Sequence, residues 1–528
     1  MAEWWRGAVF YQVYPRSFLD SSGDGVGDLD GVRRGLDYIA SLGVDAIWLS
    51  PFFKSPMKDF GYDVSDYRDV DPMFGTLADF DALLAEAHSR GLKVIIDQVW
   101  SHSSDKHPWF VESSASRENP RADWYVWADA KPDGTPPNNW LASFGGPAWT
   151  WSAKRRQYYL HNFLPEQPDL NFWNPEVQDA VLDIARFWLD RGVDGFRLDV
   201  VNYYVHDRNL TDNPSAHRNR TPSMATDMQL HKFDRSQPEN LLFINRLRKL
   251  MDAYAGERMT VGEIGDELPL ARQQEYTQPP DRLHTAYSFY LLSGVEGTPP
   301  LFRSALEAWE NDAGWPSWSL GNHDVTRFPT RMAHNDAHRA KALFAALIAM
   351  RGTIFVYQGD ELGLPDAHVP FERLQDPFAI AAYAGGPGRD GCRTPMPWTS
   401  AAPMGGFTTA TDAWLPMDPA HLPLSIESQE ASEDSALHFS RRVIAARRRS
   451  EALRTGACVQ LETADNVLGF ERVAGDERVR CLFELGGQAT AIEDPVLGRG
   501  EPLFLGGDAT LGEAGLELPG FGVAIIRL

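Results

Sequence analysis

Gly195-Phe196-Arg197-Leu198-Asp199 is a short apolar run that stops on a carboxylate. The same pattern returns in Met259-Thr260-Val261-Gly262-Glu263 and in Trp318-Ser319-Leu320-Gly321-Asn322-His323-Asp324. Each reads as a buried strand with its charge at the C-terminal end. In a parallel barrel, that is the end at which chemistry takes place. Carboxylates from separate strands, converging on one mouth with Arg197 two residues before one and His323 directly before another, suit acid-assisted cleavage of a glycosidic bond.

Working outward, eight strand candidates alternate with helical patterns: 8–14, 46–50, 93–99, 195–201, 259–264, 287–292, 317–320 and 353–357. Helical periodicity occupies 77–90, 176–191, 240–254 and 340–350, with a long helix expected over 432–449. This alternation predicts an α/β fold, a (β/α)8 TIM barrel. Residues 103–172 are rich in Trp, Pro, Asn and Gly without helical period and far exceed an ordinary βα loop, which predicts a small domain inserted after the third strand. The barrel then comprises 1–102 and 173–453. From 454 to 528 short alternating runs (459–463, 467–472, 478–485, 522–527), punctuated by Gly and Asp, predict a C-terminal antiparallel β-sandwich domain.

The chain has 528 residues, 73 acidic against 50 basic, for a formal net charge of −23. Nucleic-acid backbones and anionic membrane surfaces would be repelled, so a small neutral substrate such as an oligosaccharide is the expected partner, with no nucleic acid and no membrane. The 17 Trp suit stacking on sugar rings and equally suit a large core. Cys392, Cys458 and Cys481 form neither a disulfide framework nor a metal-ligand pattern. With no apolar leader in the first residues and no run of about 18 apolar residues, a cytoplasmic protein is expected. The triplets Asn209-Leu210-Thr211 and Asn219-Arg220-Thr221 then carry no weight as glycosylation sites.

The segment Asp20-Ser21-Ser22-Gly23-Asp24-Gly25-Val26-Gly27-Asp28 follows the first strand. Its three aspartates would repel a pyrophosphate. Oxygens of Asp20, Ser22, Asp24 and Asp28 at relative positions 1, 3, 5 and 9, Gly25 at 6 and the Val26 carbonyl at 7 match a calcium-type loop, although Gly31 stands where an EF-hand has its bidentate Glu. A structural Ca2+ or Mg2+ is expected, with an Asp/Gly-rich turn as the alternative.

Asp97-Gln98-Val99-Trp100-Ser101-His102 closes the third strand and Asp59-Phe60-Gly61-Tyr62-Asp63 follows the second, so acids, histidines and an aromatic gather at one end of five strands. With Val9 to Phe18, Gln167-Pro168-Asp169-Leu170-Asn171 and the acidic strand ends above, these segments resemble the α-amylase superfamily, glycoside hydrolase family 13, in its α-glucosidase and oligo-1,6-glucosidase branch. The resemblance covers essentially the whole chain. It implies Asp199 as nucleophile, Glu263 as general acid/base and Asp324 as a third acid that holds sugar hydroxyls. It also implies His102 and His323 as hydroxyl donors, Tyr62 stacking on the terminal sugar, and Phe144 and Phe163 as walls. A salt bridge from Asp59 to Arg393 would close the blind end, making the enzyme exo-acting.

A retaining pair stands about 5–5.5 Å apart, one acid ionised and the other protonated. Arg197, on the same strand face as Asp199, would keep that carboxylate ionised, whereas Glu263 has no base beside it in sequence. The implied activity is an exo-acting retaining α-glucosidase with transglucosylation. An oligo-1,6-glucosidase, or a sucrose- or trehalose-directed transglucosidase or isomerase, remains open, since Val200 and the polar stretch 202–239 leave linkage undecided. A noncatalytic sugar-binding relative is disfavoured because all three carboxylates are present.

Overall fold

The computed structural model describes residues 3–216, 225–310, 314–381, 388–401 and 403–528. Eight parallel strands form the central sheet: β1 (Val9–Val13), β2 (Ala46–Leu49), β3 (Lys93–Gln98), β4 (Gly195–Leu198), β5 (Met259–Ile264), β6 (Thr285–Ser288), β7 (Ser317–Trp318) and β8 (Thr353–Tyr357). Their order is β6-β5-β4-β3-β2-β1-β8-β7. A parallel bridge between Ala286 and Pro316 joins the two outer members and closes the barrel.

The strand sequences are continuously apolar because both faces are buried. Along β1, Phe10 points into an inner cluster with Trp48, Ile95, Val261, Tyr287 and Phe355, while Val9, Tyr11 and Val13 pack outward against the helical shell. That shell comprises α1 (Leu29–Arg34, continued by Leu36–Ser41), α2 (Leu77–Ser89), α3 (Pro175–Arg191), α4 (Asn240–Asp252), α5 (Pro269–Thr277), α6 (Pro299–Glu307), α7 (Ala337–Ala349) and α8 (Ala436–Arg448). Local chemistry sets the ends. Thr76 and Asp79 form a reciprocal capping box on α2. Asn174 caps α3, Pro175 occupies its first turn, and Gly192 stops it in the left-handed conformation. The buried stripe of α3, Val177, Val181, Ile184, Ala185 and Trp188, repeats every three or four residues and docks on the barrel.

Three expectations need correction. The sixth strand lies over Thr285–Ser288, and 289–292, expected to finish it, turns into a short helix, Phe289–Leu292. An apolar run has no period that separates buried strand from buried helix. The helix expected over 432–449 starts only at Ala436 and runs to Arg448, because Ser435 caps it by accepting the His438 N–H, and a separate short helix, Ile426–Glu430, precedes it. The fourth strand stops at Leu198, since Val200 takes a φ of 34°.

Within 103–172 lie a short helix, Pro108–Ser113, and a three-stranded antiparallel sheet with Gln157–Leu160 between Trp127–Ala128 and Trp149–Ser152. Val126, Trp140, Trp149 and Leu160 form its core. At the C-terminus a five-stranded and a three-stranded sheet enclose a shared core of Val467, Leu482, Leu516, Leu518, Ala524 and Ile526, the β-sandwich expected from sequence. Two buried arginines tie backbone at the base of the barrel, and the second joins the sandwich to it. Arg447 of α8 donates to the carbonyls of Gly7, Ile348, Met350 and Gly352, and Arg472 of the sandwich donates to those of Ala349, Leu453 and Gly456. The triplet at Asn219 lies outside the described residues. Among the described residues, no helix is long and apolar enough to cross a membrane.

Close approach of β4 and β5 depends on Gly195, where a Cβ would stand 2.2 Å from the Met259 carbonyl oxygen. Gly195→Ala forces the two backbones apart. Thermal melting should show a loss on the order of 1–3 kcal/mol, the usual cost of overpacking a core.

Candidate active site

Strand geometry places the catalytic candidates. Side chains two apart share a strand face, so Arg197 and Asp199 both point to the barrel axis at the end of β4. The Asp199 backbone N–H donates to Gln98 O at 3.0 Å, fixing the strand end beside β3. Glu263 comes from β5, and Asp324 from the loop after β7.

Arg197, with no solvent exposure, is the hub. Its Nη1 meets Asp97 Oδ1 at 2.8 Å and Asp199 Oδ1 at 2.6 Å, while Nη2 meets Glu263 Oε2 at 2.6 Å. Nε and Nη2 both donate to Tyr287 Oη, which donates to Glu263 Oε1 at 3.2 Å. Glu263, with no base adjacent in sequence, therefore does have one in space. Arg197 alone does not separate the two acids.

Three carboxyls thus face one cation inside the barrel. Burial raises each of them: Asp97 to about 6, and Asp199 and Glu263 each to about 7, against the opposing pull of Arg197. Mutual repulsion adds to burial, and the group titrates as a unit that retains protons near neutrality. One acid protonated beside one ionised is the division that double displacement at a sugar carbon requires. The Val200 N–H donates to Glu263 Oε2 at 3.0 Å, and its left-handed backbone is unusual for a β-branched residue. The strain aims that N–H at Glu263.

Asp324 differs. Burial opposes its ionisation, but His323, Arg393 and Arg389 overcome that and hold its carboxyl well below the usual range. Arg393 Nη2 stands 2.9 Å and Arg389 Nη1 3.3 Å from Oδ1, and His323 Nε2 is 3.2 Å from Oδ2. Burial pushes His323 itself down to about 3, so the neutral imidazole contributes a dipole and the two arginines carry the charge.

At the blind end the sequence expectation needs correction. Asp59 pairs with Arg389 at 2.7 Å, and Arg393 instead serves Asp324 and donates from Nε to the His323 carbonyl at 2.6 Å. The two arginines lie four residues apart in Arg389-Asp390-Gly391-Cys392-Arg393 and compete for the same acids. Arg389 is held on its other side by Asp376 at 2.7 Å and stacks over Phe144 at 4.8 Å. Gln167, which carries the family resemblance without an expected site role, bridges Asp59 Oδ2 and His102 Nε2, each at 3.2 Å.

These groups line a cavity of about 440 Å³, with Asp59, Tyr62, His102, Arg389 and Asp324 in its wall and Asp199 and Glu263 at its centre. Phe163 lies 5.2 Å from the His102 ring and 5.6 Å from Phe144, and both phenylalanines line the cavity. Arg197, His323 and Arg393 do not reach the cavity. They are fully buried behind it and act through the carboxylates in front. His323 has both ring nitrogens engaged, Nδ1 with Gln12 at 2.8 Å and Nε2 with Tyr62 Oη at 2.5 Å. Asp97, Tyr287, Arg389 and Asp376 are site residues that sequence reasoning does not find. Asp97 opens the segment that ends in His102, and only the third dimension shows that it shares Arg197 with two other acids.

The loop 20–28 satisfies its own carboxylates. Asp20 accepts from the backbone N–H groups of Ser22, Gly23 and Gly25 at 2.7–2.9 Å, Asp24 from that of Val26 at 2.9 Å, and Asp28 caps α1 at Gly31. Among the described residues no group of three or more His, Cys, Asp or Glu side chains is arranged to hold a metal ion. As placed, these carboxylates hold the loop's own backbone N–H groups.

Comparison with known proteins agrees with this geometry. The family model of the α-amylase catalytic domain matches residues 12–456. A probable α-glucosidase of Rhizobium meliloti (strain 1021) is 51% identical, with 100% of this chain and 97% of the relative aligned. An oligo-1,6-glucosidase of Heyndrickxia coagulans is 38% identical over 84% of this chain and 85% of its own length. The crystal structure of an α-glucosyl transfer enzyme, XgtA, superposes with a TM-score of 0.95 at 49% identity, covering 100% of both chains. The chain is therefore a glycoside hydrolase and belongs to the α-amylase catalytic-domain family, glycoside hydrolase family 13.

Proposed function

We propose that this enzyme is an exo-acting, retaining α-glucosidase that removes terminal nonreducing glucose from short neutral α-glucosides and also transfers that glucose to hydroxyl acceptors. The observation that carries it is the single guanidinium, Arg197, gripping Asp199 and Glu263 in a cavity whose far end is held shut by Asp59 and Arg389. Relatives bearing the names α-glucosidase and oligo-1,6-glucosidase support the same reading.

In the first step Asp199 attacks the anomeric carbon while Glu263 gives its proton to the glycosidic oxygen, so that bond breaks and a glucosyl ester forms. In the second, Glu263 takes a proton from water or from an acceptor hydroxyl, whose oxygen displaces Asp199. Asp324, kept ionised by its arginines, grips sugar hydroxyls and favours the flattened, positively charged transition state. Likeness to XgtA, an α-glucosyl transfer enzyme, supports the transfer branch. Preference between α-1,4 and α-1,6 bonds turns on the wall at Val200. A cytoplasmic setting is part of the proposal and rests on the cysteine pattern. The structural Ca2+ or Mg2+ of loop 20–28 is also carried as a proposal, supported by oxygen-bearing residues at alternate positions.

Asp199→Asn should abolish turnover of maltose while the fold persists. The same variant tests the burial argument. The folded state binds protons here that the unfolded state, with ordinary carboxyl values, releases, so the contribution is favourable at low pH and lost as pH rises through about 7. Asp199→Asn should therefore melt higher than wild type at pH 8 and lose that advantage toward pH 4, in paired scans. Glu263→Gln should be nearly inactive on maltose but recover on glucosides with good leaving groups, which need no proton; equal loss on both would assign Glu263 another role.

Arg389→Ala should be severely impaired on maltose, because it leaves Asp59 and Asp376 as buried unpaired charges, typically a cost of about 3–5 kcal/mol. A rapid fall in starch viscosity before glucose appears would contradict the closed pocket. For the loop, melting with and without EDTA, together with elemental analysis, decides: a bound cation gives a lower melting temperature on chelation with activity little changed.

A further inference from the structure

A second groove, of about 380 Å³, opens on the outer face of the barrel between the strand Asp66–Val70, the helix Pro108–Ser113 and α3. His107 stands in its wall with 5% of its surface exposed. Its Nδ1 accepts the Trp109 backbone N–H at 3.1 Å, which leaves the proton on Nε2, and no group among the described residues receives it. Burial and the nearby Arg121 push this imidazole down to about 3, so it stays a neutral, fixed donor. Around it the rings of Trp109 and Trp124 meet edge to face at 4.9 Å, with Tyr67 6.1 Å from Trp109. At the rim, the exposed Arg68 guanidinium forms no ion pair among the described residues, and Asp183 carries a carboxylate on α3 whose Oδ1 is paired with Arg186.

From this juxtaposition we propose that the groove is a second carbohydrate-binding site, taking one or two pyranose rings of an α-glucan oligosaccharide outside the catalytic pocket. Aromatic edges and faces receive the C–H surface of a pyranose, and donors and acceptors in alternation suit its hydroxyls. The His107 Nε2–H and the Arg68 guanidinium donate to sugar oxygens, and the Asp183 carboxylate accepts from sugar hydroxyls. A neutral ligand fits because cationic and anionic groups share the rim. The choice of sugar rests on the glucosidase reading; the existence of the site does not. A link to the catalytic pocket also exists, since Tyr67 Oη donates to the His102 carbonyl at 2.7 Å.

Calorimetric titration of the full-length Asp199→Asn protein with maltotriose tests this, with tryptophan fluorescence followed in parallel. Two binding events per chain are expected. The event accompanied by the fluorescence change should weaken several-fold in Asp199→Asn/Arg68→Ala and vanish in Asp199→Asn/Trp124→Ala, with Trp124→Phe restoring part of it. Arg68→Ala and Trp124→Ala made in the otherwise wild-type chain should keep kcat/KM on maltose within about twofold, which shows that they fold. A single event per chain, or two events that neither groove substitution alters, overturns the proposal. So does sedimentation showing that a second copy of the chain occupies the groove. If two events are seen and maltose is nevertheless not hydrolysed by the wild type, the site stands and the glucosidase reading fails.

Discussion

A lone guanidinium facing three carboxyls is the constraint around which this active site is organised. Arg197 cannot neutralise Asp97, Asp199 and Glu263 together, and burial removes the solvent that would otherwise screen them. The deficit is met by retained protons, and the ability to hold and release one near neutral pH follows from it. A second cation in this position would quench the site by fixing every acid in its ionised form. Removing the first would leave a cluster too repulsive to assemble.

The barrel is what makes such crowding sustainable. Each acid sits at the end of a different strand, and the strands are locked by parallel ladders and by the inner cluster around Trp48 and Phe355. Since none of the strands can retreat alone, the charges stay close at an energetic cost distributed over the whole sheet. The separate treatment of Asp324, which has arginines of its own from the segment 389–393, sets its charge apart from the proton-sharing trio. One pocket therefore contains a permanently charged acid and a group that titrates.

Much of this is legible in the sequence because it is written in local pattern. Apolar runs ending in acids locate β4, β5 and β7, and a long aperiodic stretch marks the insertion after β3. What stays hidden depends on relations between distant segments. Arg389 and Arg393 are equivalent as letters, and only the path of the chain between them decides which one meets Asp59. Glu263 looks free of a base because Arg197 is far from it in sequence, although the β4–β5 pairing brings the two together. The short helix 289–292 reads as strand because a buried apolar run carries no period that distinguishes the two. The metal loop illustrates the converse difficulty: a pattern of oxygens is visible in the sequence, but whether they point at a cation or at their own backbone is a matter of dihedral angles.

Arg447 and Arg472 lie on the side of the barrel away from the catalytic acids, each giving its whole guanidinium to backbone carbonyls. Because Arg472 belongs to the last domain and closes carbonyls left open where α7 ends, the sandwich acts as a base plate and cannot be detached without exposing unpaired groups beneath the barrel. Rigidity is thus anchored at the bottom, by residues that never meet substrate. The loops at the top are correspondingly free to diversify. An evolving lineage could exchange wall residues such as Val200 or Phe163, and with them the bond that is cut or made, while drawing on a reserve of stability located where selection for substrate does not act.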